Sequence, residues 1–105
     1  MGINQSLFGK FGLMMKKIRA IVSGKVQGVG FRMYTRTQAR QLGVCGYVRN
    51  LRDGNVEIIA EGKAAKVDAL LEWAKFGPPS AVVNNLEVEV IANNVEEFKG
   101  FEIRH

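Results

Sequence analysis

The chain has 105 residues and a formal net charge of +5, with 47% hydrophobic and 24% charged residues. That is the size of one domain with enough apolar content to bury a core, which excludes a disordered chain. It contains no apolar run of about 18 residues, so no helical membrane span is expected. Its lone Cys45 cannot close an internal disulfide and fits a reducing cytoplasm, with a buried thiol as its expected state.

In chain order, residues 1–14 stand apart, with three glycines, one charge (Lys10) and scattered apolar side chains. They lack the charged start and long apolar core of a secretory signal and read as a disordered extension, with Met14 or Met15 as an alternative start. Lys17 to Ser23 alternates Ile18, Ala20 and Val22 on one face of a strand. Phe31 to Leu42 is helical: Phe31, Thr35, Ala39 and Leu42 share one face, Arg32, Arg36 and Arg40 another, and Gly43 closes it. Val44 to Asn50 and Val56 to Glu61 read as strands joined by an Asp53-Gly54 hairpin turn. Ala64 to Phe76 is a second amphipathic helix, with Val67, Leu70, Leu71 and Ala74 inward, stopped by Gly77-Pro78-Pro79. Trp73 and Phe76 are expected to pack. Leu86, Val88 and Val90 alternate in a fourth strand, and Gly100 to Arg104 adds a short last one. The order β-α-β-β-α-β predicts an α+β fold: the split, ferredoxin-like sandwich, an antiparallel sheet with both helices on one face.

Charge is unevenly divided. Lys16 to Arg52 holds nine basic residues and no acidic one, whereas Asp53 onward holds ten acidic and five basic. The division is consistent with an anion-attracting face. It is equally consistent with opposite halves pairing across the fold. Arg36 and Arg40 read as a solvated helix face, Arg49 and Arg52 as added positive potential near the mouth of a site, and Glu96-Glu97 as a solvated pair.

The segment Gly24-Lys25-Val26-Gln27-Gly28-Val29-Gly30-Phe31-Arg32 joins the first strand to the first helix. A cation at a helix start loses about 0.3–1 kcal/mol against the helix dipole, so Arg32 makes best sense facing an anion. Gly28 and Gly30 permit positive φ angles and a nest of backbone N–H groups. Nest, helix N-terminus and guanidinium fork would hold a phosphate from several sides. An ordinary glycine-rich turn with a solvated Arg32 is the alternative for this segment alone. The spacing excludes a P-loop, because Val29-Gly30 stands where Gly-Lys is needed after Gly24, and a dinucleotide fingerprint, because position 33 is Met33.

With Gly46-Tyr47-Val48-Arg49-Asn50, followed by Gly54, Val56 and Gly62, the chain resembles the acylphosphatase family in two separated motifs. The resemblance covers residues 15–105, which it marks as an acylphosphatase-like domain. It implies hydrolysis of the carboxyl-phosphate bond of acyl phosphates, giving a carboxylate and inorganic phosphate. It implies Arg32 as the substrate-binding arginine, Asn50 as the positioner of the attacking water, and Gln27, Gly28, Val29 and Gly30 as the phosphate cradle. The enzyme is expected to be a metal-independent cytoplasmic monomer without cofactor, acting on a small molecule and not on nucleic acid or membranes.

The residues support that reading independently. An acyl phosphate is already activated, so its hydrolysis asks for positioning and charge stabilisation more than for covalent catalysis. His105 is the lone histidine and the last residue, and Cys45 fails the Cys-x5-Arg phosphatase spacing because position 51 is Leu51. Acidic residues begin at Asp53, so neither motif offers a carboxylate set for a metal. The rival readings are a nucleic-acid-binding module on the same fold and an anion sensor without turnover. RNA-binding sheets stack bases on central-strand aromatics, and here Val56 to Glu61 has none.

Overall fold

A computed structural model describes residues 14–91 and 98–105, and the expectations for residues 1–13 and for Glu96-Glu97 fall outside it. The elements are β1 (Met15–Lys25), α1 (Phe31–Leu42), β2 (Cys45–Asn50), β3 (Val56–Lys63), α2 (Ala64–Ala74), β4 (Val82–Val90) and β5 (Phe101–Arg104). They form one sheet in the order β4-β1-β3-β2-β5, with the expected split βαβ arrangement. The sheet is not wholly antiparallel: β5 runs parallel to β2. β1 is longer than the apolar alternation suggested because it pairs with β3 on one side and β4 on the other. Ladder bonds carry it past its last inward side chain.

Alternation sorts the sheet into two faces. Ile18, Ala20 and Val22 of β1, Val48 of β2, and Val56, Ile58 and Ala60 of β3 are buried in one cluster with Phe31 and Ala39 of α1 and Val67, Leu70 and Ala74 of α2. One continuous core places both helices on that face. α1 lies over β2 and β5, and α2 over β1 and β3. β4 lies beyond that cover, so Val88 and Val90 are exposed although their alternation resembles a buried strand. Phe76 follows the end of α2 and is 77% exposed, against the expectation that it packs, whereas Trp73 meets the Phe31 ring at 5.5 Å between centroids. Cys45 points to the helix-free face and is half-buried, not the fully buried thiol expected.

Pairing register decides where chemistry can gather. Val22 of β1 and Asn50 of β2 both lie opposite Val56 of β3. Arg49 lies beside Arg104 of the parallel β5, so His105 follows at the same level. The carboxyl ends of β1, β2 and β5 therefore meet at one end of the sheet, where the β1–α1 loop also begins.

The helix-free face carries a charge clamp. Arg19 donates from Nε to Glu57 Oε2 at 2.7 Å and Arg49 from Nε to Oε1 at 2.6 Å, leaving Glu57 2% exposed. Burial pushes the Glu57 carboxyl up, but the hydrogen bonds and charges of Arg49 and Arg19 outweigh it and hold the group below its ordinary value. Lys16–Asp68 at 2.7 Å and Lys17–Glu61 at 3.9 Å likewise join the basic first half to the acidic second half. Pairing across the fold thus accounts for much of the charge division. Among the described residues Arg32, Arg36 and Arg40 have no carboxylate partner.

Because Glu57 titrates lower when folded than when unfolded, its contribution is complete above the ordinary carboxylate range and is lost as pH falls through the depressed value. Glu57→Gln should lower the unfolding free energy at neutral pH by about 1–3 kcal/mol, read from urea titrations. The gap from wild type should close as the pH is lowered through the acid range. Equal stability at neutral pH would show that the clamp contributes nothing.

Candidate active site

Residues 26–30 connect β1 to α1 and divide their labour by side chain. Val26 is 1% exposed in the core, and half-buried Val29 packs against the same cluster. Gln27 sends its amide sideways, donating from Nε2 to the backbone oxygens of Leu51 and Asn55, each at 2.8 Å. Gly28 and Gly30 have φ of 75° and 77°, the left-handed region that glycine enters without strain. These two glycines turn the backbone around a concave surface and leave it uncovered by side chains.

Gly30 is the N-cap of α1, which has no side-chain cap and no acidic residue in its first turn. The helical ladder starts with Tyr34 N donating to Gly30 O at 3.0 Å. The N–H groups of Phe31, Arg32 and Met33 precede it and have no intrahelical acceptor. Their partial positive charge adds to that of the Arg32 guanidinium. Arg32 Nη1 donates towards His105 Nδ1 at 3.3 Å, bringing the imidazole to the mouth of the site.

Asn50, the last residue of β2, faces the same space. It shares a face with Val48 and points to the helix side of the sheet. Its Oδ1 is buried and has no hydrogen-bond partner. A buried amide oxygen without a donor is destabilising by about 1–3 kcal/mol, and such an orphan marks a position kept for something other than stability. Gly28, Gly30, Arg32, Asn50, Arg36 and His105 all border one cavity of about 450 Å³.

Of the six residues singled out from sequence, four meet at this cavity: Gly28, Gly30, Arg32 and Asn50. The side chains of Gln27 and Val29 go elsewhere, into the β2–β3 turn and the core. Arg36 and Arg40, read from sequence as a solvated helix face, also line the cavity, and Arg40 Nε donates to Phe101 O at 3.2 Å. Their four-residue spacing from Arg32 was the available signal. Arg49 does not reach the mouth, because adjacent strand residues point to opposite faces and Asn50 takes the cavity side. Arg52 is exposed and stands apart from the lining. Glu102 and His105 enter the lining through the parallel pairing of β5, which no local pattern announces. Among the described residues no three His, Cys, Asp or Glu side chains converge as a ligand set. Glu102 is the one acidic residue in the lining among the described residues, and its carboxylate accepts from Arg104 Nε at 3.0 Å.

The acylphosphatase family profile matches residues 18–103. An acylphosphatase of Acaryochloris marina is 51% identical over 86 residues, spanning 82% of this chain and 90% of the relative. One from Caldivirga maquilingensis is 51% identical over 90 residues, spanning 85% and 94%. The crystal structure of the acylphosphatase from Bacillus subtilis superposes with a TM-score of 0.82 at 36% identity, covering 88% of this chain and 100% of that one. The matched span contains the glycine loop, Arg32, Asn50 and the strands whose register joins them, and the chain belongs to the acylphosphatase family.

Proposed function

We infer that the chain hydrolyses acyl phosphates, with the phosphoryl group seated on the N–H groups of the β1–α1 loop and α1 and held by Arg32. The supporting observation is the orphaned Asn50 Oδ1 at one cavity with an acid-free helix start and Arg32, which has no carboxylate partner among the described residues. That arrangement supplies donors for phosphate oxygens and one acceptor for a water O–H.

The reaction follows from those parts. The guanidinium fork and loop amides neutralise the non-bridging oxygens while charge rearranges in an in-line displacement. Asn50 accepts a hydrogen bond from the attacking water and aims its oxygen at phosphorus. It orients and does not deprotonate, since an amide is no base at neutral pH. The new P–O bond forms as the bond to the acyl oxygen breaks. The carboxylate leaves with the electron pair, and the water proton passes to a phosphate oxygen. A carboxylate is a good enough leaving group to depart without an acid.

In this reading the enzyme is a monomer acting on a small molecule in a reducing cytoplasm, which the lone Cys45 fits. Neither a metal nor a nucleic acid has a part in this reading. Hydrolysis of a simple aromatic acyl phosphate should therefore proceed at full rate with a strong chelator present. Loss of activity on chelation, restored by a divalent ion, would overturn metal independence.

Arg32→Lys should lose most of kcat/KM although charge is kept, because a point ammonium cannot reproduce the planar two-donor contact. Inhibition by inorganic phosphate should weaken with it. Near-native kcat/KM in the lysine variant would remove Arg32 from the phosphate fork.

Asn50→Ala should lower kcat by about a hundredfold or more, as expected for loss of a positioning group, with phosphate inhibition nearly unchanged. Circular dichroism establishes that the variant is folded. Collapse of phosphate binding with kcat preserved would make Asn50 a binding residue and not a water positioner.

A further inference from the structure

Asn50 and the loop amides lie on different elements, and their alignment depends on whatever joins those elements. Among the described residues, side-chain hydrogen bonds between the β1–α1 loop and the β2–β3 turn come from Gln27 alone. Its Nε2 carries two N–H donors, and two backbone oxygens, of Leu51 and Asn55, accept from it at 2.8 Å each. Leu51 follows Asn50 directly, and Gly28 follows Gln27. The bonds thus span from the first residue of the cradle to the residue after the water positioner.

The turn that receives them is itself held. Leu51 N donates to Asn55 O at 2.8 Å, Gly54 N to Leu51 O at 3.3 Å, and Asn55 N to Asp53 Oδ1 at 3.0 Å. The loop side has separate anchors in the side chains of Val26 and Val29. Each half of the site is therefore secured without Gln27, and what Gln27 adds is their mutual placement.

We propose that Gln27 is a positioning residue for hydrolysis, acting through Asn50 by holding the phosphate cradle and the β2–β3 turn in fixed register. The proposal rests on the reading that Asn50 orients the attacking water. The Gln27 side chain turns away from the cavity and touches no substrate atom. Its removal leaves the loop amides and Arg32 able to bind phosphate but lets the line from water to phosphorus drift. A misplacement of about 1 Å is enough to slow such a step by on the order of a hundredfold.

The test is a double-mutant cycle between Gln27→Met, which keeps length and loses both donors, and Asn50→Ala. For wild type, both single variants and the double variant, kcat and KM are measured on an aromatic acyl phosphate, with the inhibition constant of inorganic phosphate. Gln27→Met should lower kcat about tenfold or more while phosphate inhibition stays within about threefold. In the Asn50→Ala background the same substitution should change kcat by less than about threefold, because the group being positioned is gone. Gln27→Lys, which restores N–H donors on a flexible stem, should recover much of the lost kcat. Should the methionine variant fail to fold, Gln27→Glu keeps the size and removes the donors in the same cycle.

Equal losses from Gln27→Met with and without Asn50 would overturn the proposal, and so would a parallel rise in the phosphate inhibition constant. A folded Asn50→Ala variant that keeps wild-type kcat would instead overturn the underlying reading of Asn50, and the proposal with it. Those failures are distinguishable, since the single Asn50 variant separates them.

Discussion

The register of β3 against β1 and β2 is the constraint on which the site depends. Because side chains alternate with a period of two, a one-residue slip sends every side chain of a strand to the other face. A slip of β2 would turn Asn50 out to the helix-free side and push Arg49 towards the cavity. It would also separate Arg49 from Glu57, which lies directly opposite it, and leave a buried carboxylate short of one cation. The ion clamp on one face therefore protects the geometry on the other. Removing one partner from a buried pair is far more destabilising than the pair is stabilising. Glu57 accordingly does more to penalise the wrong register than to deepen the right one.

Electrostatics on the helix side follow the opposite rule. Arg32, Arg36 and Arg40 form a line down α1 with no carboxylate among the described residues to balance it. At the N-terminal end the helix dipole also disfavours the first of them. The same guanidinium groups lie where cross-strand carboxylates cannot reach, because the acidic side chains of β3 point to the other face. Segregation by strand alternation thus keeps positive potential at the cavity while the sheet's own charges are paired. Glu102 is the one acidic residue in the cavity lining among the described residues, and Arg104 occupies its carboxylate.

Much of this was legible in the sequence where the signal was local. Gly43 ends α1 as a left-handed cap with φ 70°, and Gly54 turns the β2–β3 hairpin at φ 93°, both as the residue types indicate. Gly28, Gly30, Arg32 and Asn50 were readable from spacing and chemistry together with the family resemblance. What escaped was non-local. Glu57 reads as a solvent-facing residue of an alternating strand, and only the arrival of Arg19 from β1 and Arg49 from β2 buries it. Val88 and Val90 read as inward-facing, but helix cover is a property of the assembled layers. The parallel placement of β5, which brings His105 to Arg32, depends on a chain crossover that hydrophobic period cannot report. The side-chain direction of Gln27 was similarly hidden, since its acceptors lie 24 and 28 residues away.

A cradle made of backbone amides faces opposing demands. To wrap an anion closely it needs glycines in left-handed conformations, and glycine is the residue with the most conformational freedom to lose on folding. To act as a preorganised site it must nevertheless hold still, because donors that reorganise during the reaction lose much of their electrostatic worth. In this loop the residues alternate between the two needs. Gly28 and Gly30 shape the concave surface, while Val26 and Val29 anchor it in the core and Gln27 braces it against the neighbouring turn. The rigidity of the site therefore resides in the side chains that turn away from it. A residue there can be indispensable to alignment while lining no part of the cavity.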